Sequence, residues 1–454
     1  MNLPPGPSGL KFYYSLFRAR KDWLGFLSGL ARDYGDVTLF RLFHVPVCFV
    51  NRPEYIESIL GSDVSDLAKS RDYRPMKSLL GNGLLTSEGE FWRGERQRLQ
   101  PAFHRERINA YSRVMAAAAE DMAGKWRDGE ERDLHQDMMR LTLRIIAKTI
   151  FGTDSELNPE VVSRSMETAM ERYLDLAWFA IFLPERLVNL GNRALRLYLG
   201  NLDKMVHDLI ESRRKSARDG DGEDILSLLL EARSEDGNEM TDIQVRDEAM
   251  TLMLAGHETT ANALTWTWVL LSRNPDAARK LHTELDHVLA GKRPQPEDMQ
   301  RLRFTRNVIR ESMRLYPPAW GIGREALREI SIGGYRLPAG TNVYMSQWVT
   351  HRDPRYFDQP DRFMPERWTE DFEKNLPRFA YFPFGGGPRA CIGASFATLE
   401  AALLLATIAQ RFHFELTPGH PVIPFASVTL RPRHGVLARL RRRSARPMES
   451  GIPN

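Results

Sequence analysis

Cysteine is almost missing from this chain. Only Cys48 and Cys391 occur in 454 residues, so neither a four-cysteine zinc site nor a four-cysteine iron–sulfur cluster can be built from it. So low a count also argues against a disulfide-stabilised secreted protein and agrees with a reducing cytoplasm. The opening stretch, MNLPPGPSGLKFYY, has no apolar core long enough for a signal peptide or a membrane span. That predicts a soluble, cytoplasmic protein without a transmembrane anchor. Charge of one sign is scarce too, with a net charge of +4. The densest basic run, Arg439 to Arg446, reads as the start of a frayed, solvated tail over about 441–454, not as a nucleic-acid surface. What remains is an ordinary globular composition, 42% hydrophobic and 27% charged.

Chemistry concentrates in the stretch from Phe382 to Gly393, FPFGGGPRACIG. Cys391 ends a glycine-rich turn and precedes an apolar run, Ala394 to Ile408, of the length and composition of a buried helix. A helix N-terminus favours an anion, so the thiolate is expected to form more easily than in free cysteine. Gly385, Gly386 and Gly387 allow the backbone to turn tightly and approach something flat and large. The plain alternative is a buried, helix-capping cysteine behind a Gly-Pro turn. A metal held by this one thiolate must take its other ligands from elsewhere, as haem does from its porphyrin.

Taken in order, the chain opens with a Pro-rich segment over 1–10 and a helical spacing from Lys21 to Tyr34. Two short strands follow around His44-Val45-Pro46, with Cys48 a buried core residue of the second. Tyr73 to Gly89 is loop-like. Trp92 and Arg96 share one helical face, which alone reads as a surface helix with an anchored Trp. From about Ile108 to Arg218 amphipathic helices succeed one another without a motif, interrupted by the apolar patch Ala177 to Leu183. Ala217 to Glu223 and Ser234 to Glu239 read as charged loops.

The spacing then predicts a helix of over thirty residues from Thr241, its N-cap region, to Asn274 before Pro275. Its middle holds Ala255-Gly256-His257-Glu258-Thr259-Thr260. A mid-helix glycine costs about 1 kcal/mol, a weakness expected where function overrides regularity. His257-Glu258 does not start a zinc-protease motif, because Ala261 stands where the second histidine is required. Phe304 to Leu315 is a further helix, on which Glu311 and Arg314 read as an ordinary surface ion pair worth under about 1 kcal/mol. Gly334 to Gly340 reads as a hairpin turn flanked by short strands.

Phe384-x-x-Gly387-x-Arg389-x-Cys391-x-Gly393 matches the haem-binding signature of the cytochromes P-450 at all its defined positions, and the chain resembles that family from Trp92 to Gly393. The resemblance implies one domain over 1–454 with a mainly α fold carrying small β-sheets (α+β). Haem b (iron protoporphyrin IX) would lie between the long central helix and the cysteine-loop helix, with Cys391 as its metal ligand. Trp92, Arg96, Arg324 and Arg389 would hold the propionates, with Gly256 leaving space over the iron and Phe384 beside the sulfur. Thr259 would hydrogen-bond dioxygen, and Glu258 would relay protons from solvent. Glu311, Arg314 and Arg367, the last from Pro365-Glu366-Arg367-Trp368, would be scaffold; Trp368 stands where the family usually has Phe. The Ala177–Leu183 patch corresponds by position to the family's mobile lid.

The function implied is a haem-thiolate monooxygenase that inserts one oxygen atom of O2 into a hydrophobic substrate such as a fatty acid or terpenoid. No flavin or iron–sulfur domain is recognisable, so electrons would come from a ferredoxin or flavodoxin and its NAD(P)H-dependent reductase, attracted to the Cys391 side by Arg96 and neighbouring cations. The protein would act as a monomer. Pocket walls would come from Met76 to Leu85, Leu254, Ala255, Ala319 to Ile322 and Phe425. A peroxide-using or isomerising relative commonly lacks the Glu258–Thr259 pair that this chain keeps, and a haem sensor or carrier has no need of it.

Overall fold

A computed structural model describes residues 2–9, 12, 16, 22–61, 66–152, 162, 165, 200, 202–215, 224–232, 237 and 239–443. The Ala177–Leu183 patch, the 217–223 loop and most of 234–239 lie outside the described residues. Helix α1 (Trp23–Tyr34) is capped by Asp22, whose Oδ1 accepts the Gly25 N–H at 2.9 Å. The expected pair of strands, Val37–Leu42 and Val45–Val50, is antiparallel. They belong to a five-stranded sheet in the order Val37–Leu42, Val45–Val50, Asn342–Met345, Ile322–Ala326, Leu67–Lys69. Val45–Val50 runs parallel to Asn342–Met345, so this sheet joins two distant parts of the chain. Cys48 is fully buried in it.

Helices make up the other side. They are α2 (Gly89–Leu99), α3 (Arg105–Lys125), α4 (Leu134–Phe151), α5 (Asp242–Arg273), α6 (Arg303–Leu315) and α7 (Ala394–Ala409). Thr241 and Gln244 form a reciprocal capping box that starts α5. Its 32 residues span roughly 48 Å before Pro275. Apolar residues surround it on all sides, so it has no solvent face over most of its length, and α4, α6 and α7 pack around it. The architecture is mainly α with small sheets, as expected.

Three local expectations need correction. Tyr73 to Gly89 is not all loop, because Arg71–Met76 forms a 3₁₀ segment and Lys77–Leu80 a helical turn. The hairpin turns one step earlier than read. Gly333 and Gly334 both take positive φ (56° and 81°), the pair a tight turn needs, and Tyr335–Leu337 is itself a strand paired with Ile330–Ile332. Finally, Arg441 and Arg442 are not frayed: they belong to strand Leu437–Arg442 and pair with His413 and Phe412. Residues 444–454 lie outside those described.

Candidate active site

The loop before α7 closes on itself. Cys391 N–H donates to the Phe384 carbonyl at 2.9 Å, and Gly385 and Gly387 take positive φ (68° and 66°) to make the turn. Gly387 approaches protein, since a Cβ there would lie 1.8 Å from the Leu60 carbonyl oxygen. Cys391 sits deep in the fold with its side chain uncovered. Depth decides its acidity, against the expectation from the helix terminus. Burial raises the thiol, outweighing the Gly393 N–H and the Arg96 charge, which lower it. Arg96 itself turns inward and donates to the Ala390 carbonyl at 2.8 Å. That contact braces the cysteine loop.

Helix α5, which packs on α7, is buried from Asp247 to Leu271 at every position except Ala255, Gly256 and Thr259. These three make a notch at the middle of an otherwise covered helix. Thr259 donates its hydroxyl proton to the Ala255 carbonyl at 2.6 Å, leaving the oxygen free to accept. Gly256 also serves packing: a Cβ there would meet Ile146 Cδ1 at 2.6 Å, so its small size lets α5 pack on α4. Glu258 is one residue round the helix from Thr259. It is buried and accepts the Thr429 hydroxyl proton at 2.6 Å. His257 is buried, and burial pushes it down to about 4.

A cationic cluster gathers at the end of α2. Trp92 is buried under the Arg389 guanidinium, 5.4 Å from its ring. Arg389 Nη1 donates to Glu88 Oε1 at 3.1 Å, while its Nε is buried without a partner. Arg324 is buried as well; desolvation lowers it, and the nearby Arg389 lowers it further. Lys69, which no motif marks, completes the group. Its ammonium donates to Ser87 O at 2.6 Å and Leu84 O at 3.0 Å, and burial pulls it down to about 7. Buried cations that depress one another, with an orphaned guanidinium N–H among them, suit carboxylate groups brought in from outside. The uncovered thiol, the notch on α5 and this cluster together fit a haem with its propionates.

Glu311 and Arg314 are not a surface pair. Both are wholly buried, with Arg314 Nη2 2.8 Å from Glu311 Oε1. Arg367 Nε at 2.9 Å, the Trp368 indole N–H at 3.0 Å and the Met364 N–H at 3.0 Å complete the carboxylate's shell. Arg314 also donates to the carbonyls of His351 at 2.8 Å and Pro360 at 2.6 Å. Trp368, in place of Phe, thus supplies a hydrogen bond as well as an aromatic ring. Of the expected wall residues, Leu254 is buried, whereas Phe425 lies under Arg433, 4.9 Å from its ring.

Such an arrangement fits a class: helical proteins that hold a haem. Comparison makes it specific. The cytochrome P-450 family model matches residues 4–437. The chain is similar to cyclooctatin synthase of Streptomyces melanosporofaciens, 38% identical over 93% of this chain and 92% of that one. It is also similar to pentalenene oxygenase of Streptomyces avermitilis, 34% identical over 90% of each. The solved haem domain of cytochrome P-450DA superposes with a TM-score of 0.85 at 27% identity, covering 98% of both chains. The chain belongs to the cytochrome P-450 family and is a haem-binding monooxygenase. It takes an organic substrate, O2 and electrons from a redox partner. Among the described residues no helix is long and apolar enough to cross a membrane.

Proposed function

We propose that this enzyme hydroxylates a cyclic terpenoid, joining substrate, O2, two electrons and two protons to give an alcohol and water. The observation that carries the oxygenase half of this reading is the notch on α5, where Thr259 is the open hydroxyl and buried Glu258 is its neighbour. Support for the substrate class comes from relatives named cyclooctatin synthase, cyclooctat-9-en-7-ol 5-monooxygenase and pentalenene oxygenase. The cofactor in this reading is haem b, ligated by Cys391, with Trp92, Arg324, Arg389 and Lys69 disposed toward its propionates and Phe384 beside the sulfur. When bound, it supplies the activation of dioxygen.

The chain's own residues supply positioning and protons. Thr259 presents a hydroxyl that both donates and accepts. Glu258 passes protons toward it from the far side of α5. Glu311, Arg314 and Arg367 keep the cysteine side of the fold rigid. A ferredoxin or flavodoxin with an NAD(P)H-dependent reductase is the electron source in this reading. The two unpaired cysteines suit a reducing cytoplasm, and the enzyme in this reading works as a monomer.

Titrating the purified holoenzyme with cyclic terpene hydrocarbons and alcohols, and with fatty acids, tests the proposal. A terpene is expected to shift the haem from low to high spin and to be hydroxylated in a reconstituted system. Thr259→Ala is expected to bind it equally well, yet lose most product and release peroxide. Fatty-acid hydroxylation without any terpene response overturns the substrate assignment.

A further inference from the structure

Glu258 does not end its contacts at one hydrogen bond. Its partner Thr429 Oγ1 accepts from Asn262 Nδ2 at 3.0 Å, and Asn262 Oδ1 meets His135 Nε2 at 3.0 Å. Four side chains from α4, α5 and the segment before strand Leu430–Pro432 thus form one line. It leads from the buried carboxylate to His135, which is half-buried at the start of α4. Asn262 is wholly buried, and Glu258 and Thr429 nearly so, at 7% and 6% exposure.

We infer that Thr429, oriented by Asn262 and His135, positions the Glu258 carboxylate by directing its only hydroxyl proton at it. The argument is one of donor count. A threonine hydroxyl has one proton and two acceptor sites. The Asn262 amide N–H occupies an acceptor site, so the hydroxyl proton is left for Glu258. The opposite amide orientation would set the Asn262 carbonyl against Thr429 Oγ1 and its NH2 against the His135 ring. The hydroxyl proton would then be shared, and Glu258 would face a bare oxygen at 2.6 Å. In the orientation observed, Asn262 Oδ1 can only accept, so His135, as the tautomer that carries its proton on Nε2, holds it. Its backbone is in turn held by Asp133, which accepts the His135 N–H at 2.9 Å.

Thr429 is itself anchored. Its carbonyl accepts from Ser427 N and Ser427 Oγ, both at 3.0 Å. The next residue, Leu430, accepts the indole N–H of Trp266 on α5 at 2.9 Å. The hydroxyl is therefore held against α5 by backbone on both sides. An amide cannot readily both take up and release a proton, so the line orients Glu258 and does not itself conduct. Charged and titratable groups around it are His135 and Asp133 at the start of α4, His257 on α5 and Arg431 on the strand.

The inference rests on the reading that Glu258 passes protons, and its test separates the two. Infrared titration of the ferric holoenzyme follows the Glu258 carboxyl band, identified by its loss in Glu258→Gln. Removing a hydrogen bond to the charged form raises an acid's pKa, so Thr429→Val is expected to move this titration upward by roughly one unit. The acid limb of product formation against pH should move with it, and peroxide release should rise. Thr429→Ser should restore the wild-type values. Asn262→Leu, which frees the hydroxyl without removing it, should give a smaller upward shift and serves if the valine variant folds poorly. An unchanged Glu258 titration in both Thr429→Val and Asn262→Leu overturns the inference. If Glu258→Gln turns over like wild type, the proton-passing reading fails, while an infrared shift in Thr429→Val still supports the orienting role.

Discussion

Glu400 lies on α7, nine positions after the cysteine, with no exposed surface. The Thr260 hydroxyl on α5 is the polar group beside it, and burial pushes its acidity from an ordinary 4.5 up to about 8. The folded state therefore prefers the protonated acid. The stability this confers is complete below about pH 4.5 and is lost as pH climbs through about 8. Glu400→Gln is expected to flatten that loss. Between pH 5 and 9 the wild type should lose more stability than the variant, a difference on the order of a few kcal/mol, read as a larger fall in its melting temperature. Equal pH dependences would mean that Glu400 is not held neutral. Nothing in the local sequence announces this residue, or Lys69, or Thr429, because each acquires its meaning from a partner far away in the chain. Cys391, Glu258 and Thr259 could be proposed from the sequence because each stands in a short local motif. Gly256 was legible only in part. A glycine shows that a side chain has been excluded, but the sequence does not say that Ile146 fills the room.

Helices and the strands that brace them were unevenly readable for a related reason. A capping box at Thr241 and a proline at 275 bracket α5 locally, so its ends could be read directly. The five-stranded sheet could not be, since its order depends on Val45–Val50 meeting Asn342–Met345 across the fold. Glu311 and Arg314 illustrate the difference in energy. Spacing on α6 suggested an exposed pair of little worth, yet both are at 0% exposure with Arg367 and Trp368 on the same carboxylate. Removing one member of a buried pair leaves an uncompensated charge and costs about 3–5 kcal/mol. Arg314→Leu should therefore leave the buried Glu311 carboxylate with Arg367 as its one remaining cation among the described residues, and release the carbonyls of His351 and Pro360. Expression as holoenzyme should fall sharply, measured as haem content per chain and as the denaturant midpoint. A variant with wild-type haem content and midpoint would show that the network is dispensable.

The fold carries three features that suit a haem: a thiol at the end of a constrained loop, a notch in a buried helix, and a cluster of buried cations. Their order along the chain already resembled the cytochrome P-450 family, and a family match over residues 4–437 bears that out. Substrate identity was not legible, because apolar walls exclude water without naming a molecule. All of the proposed chemistry depends on sulfur from Cys391 reaching the iron. The most direct test is the absorption spectrum of the purified protein after reduction and exposure to carbon monoxide. A Soret band at the long wavelength typical of thiolate ligation is expected, and it should disappear in Cys391→His. A wild-type band at the position of histidine-ligated globins, or no bound porphyrin at all, would contradict the account.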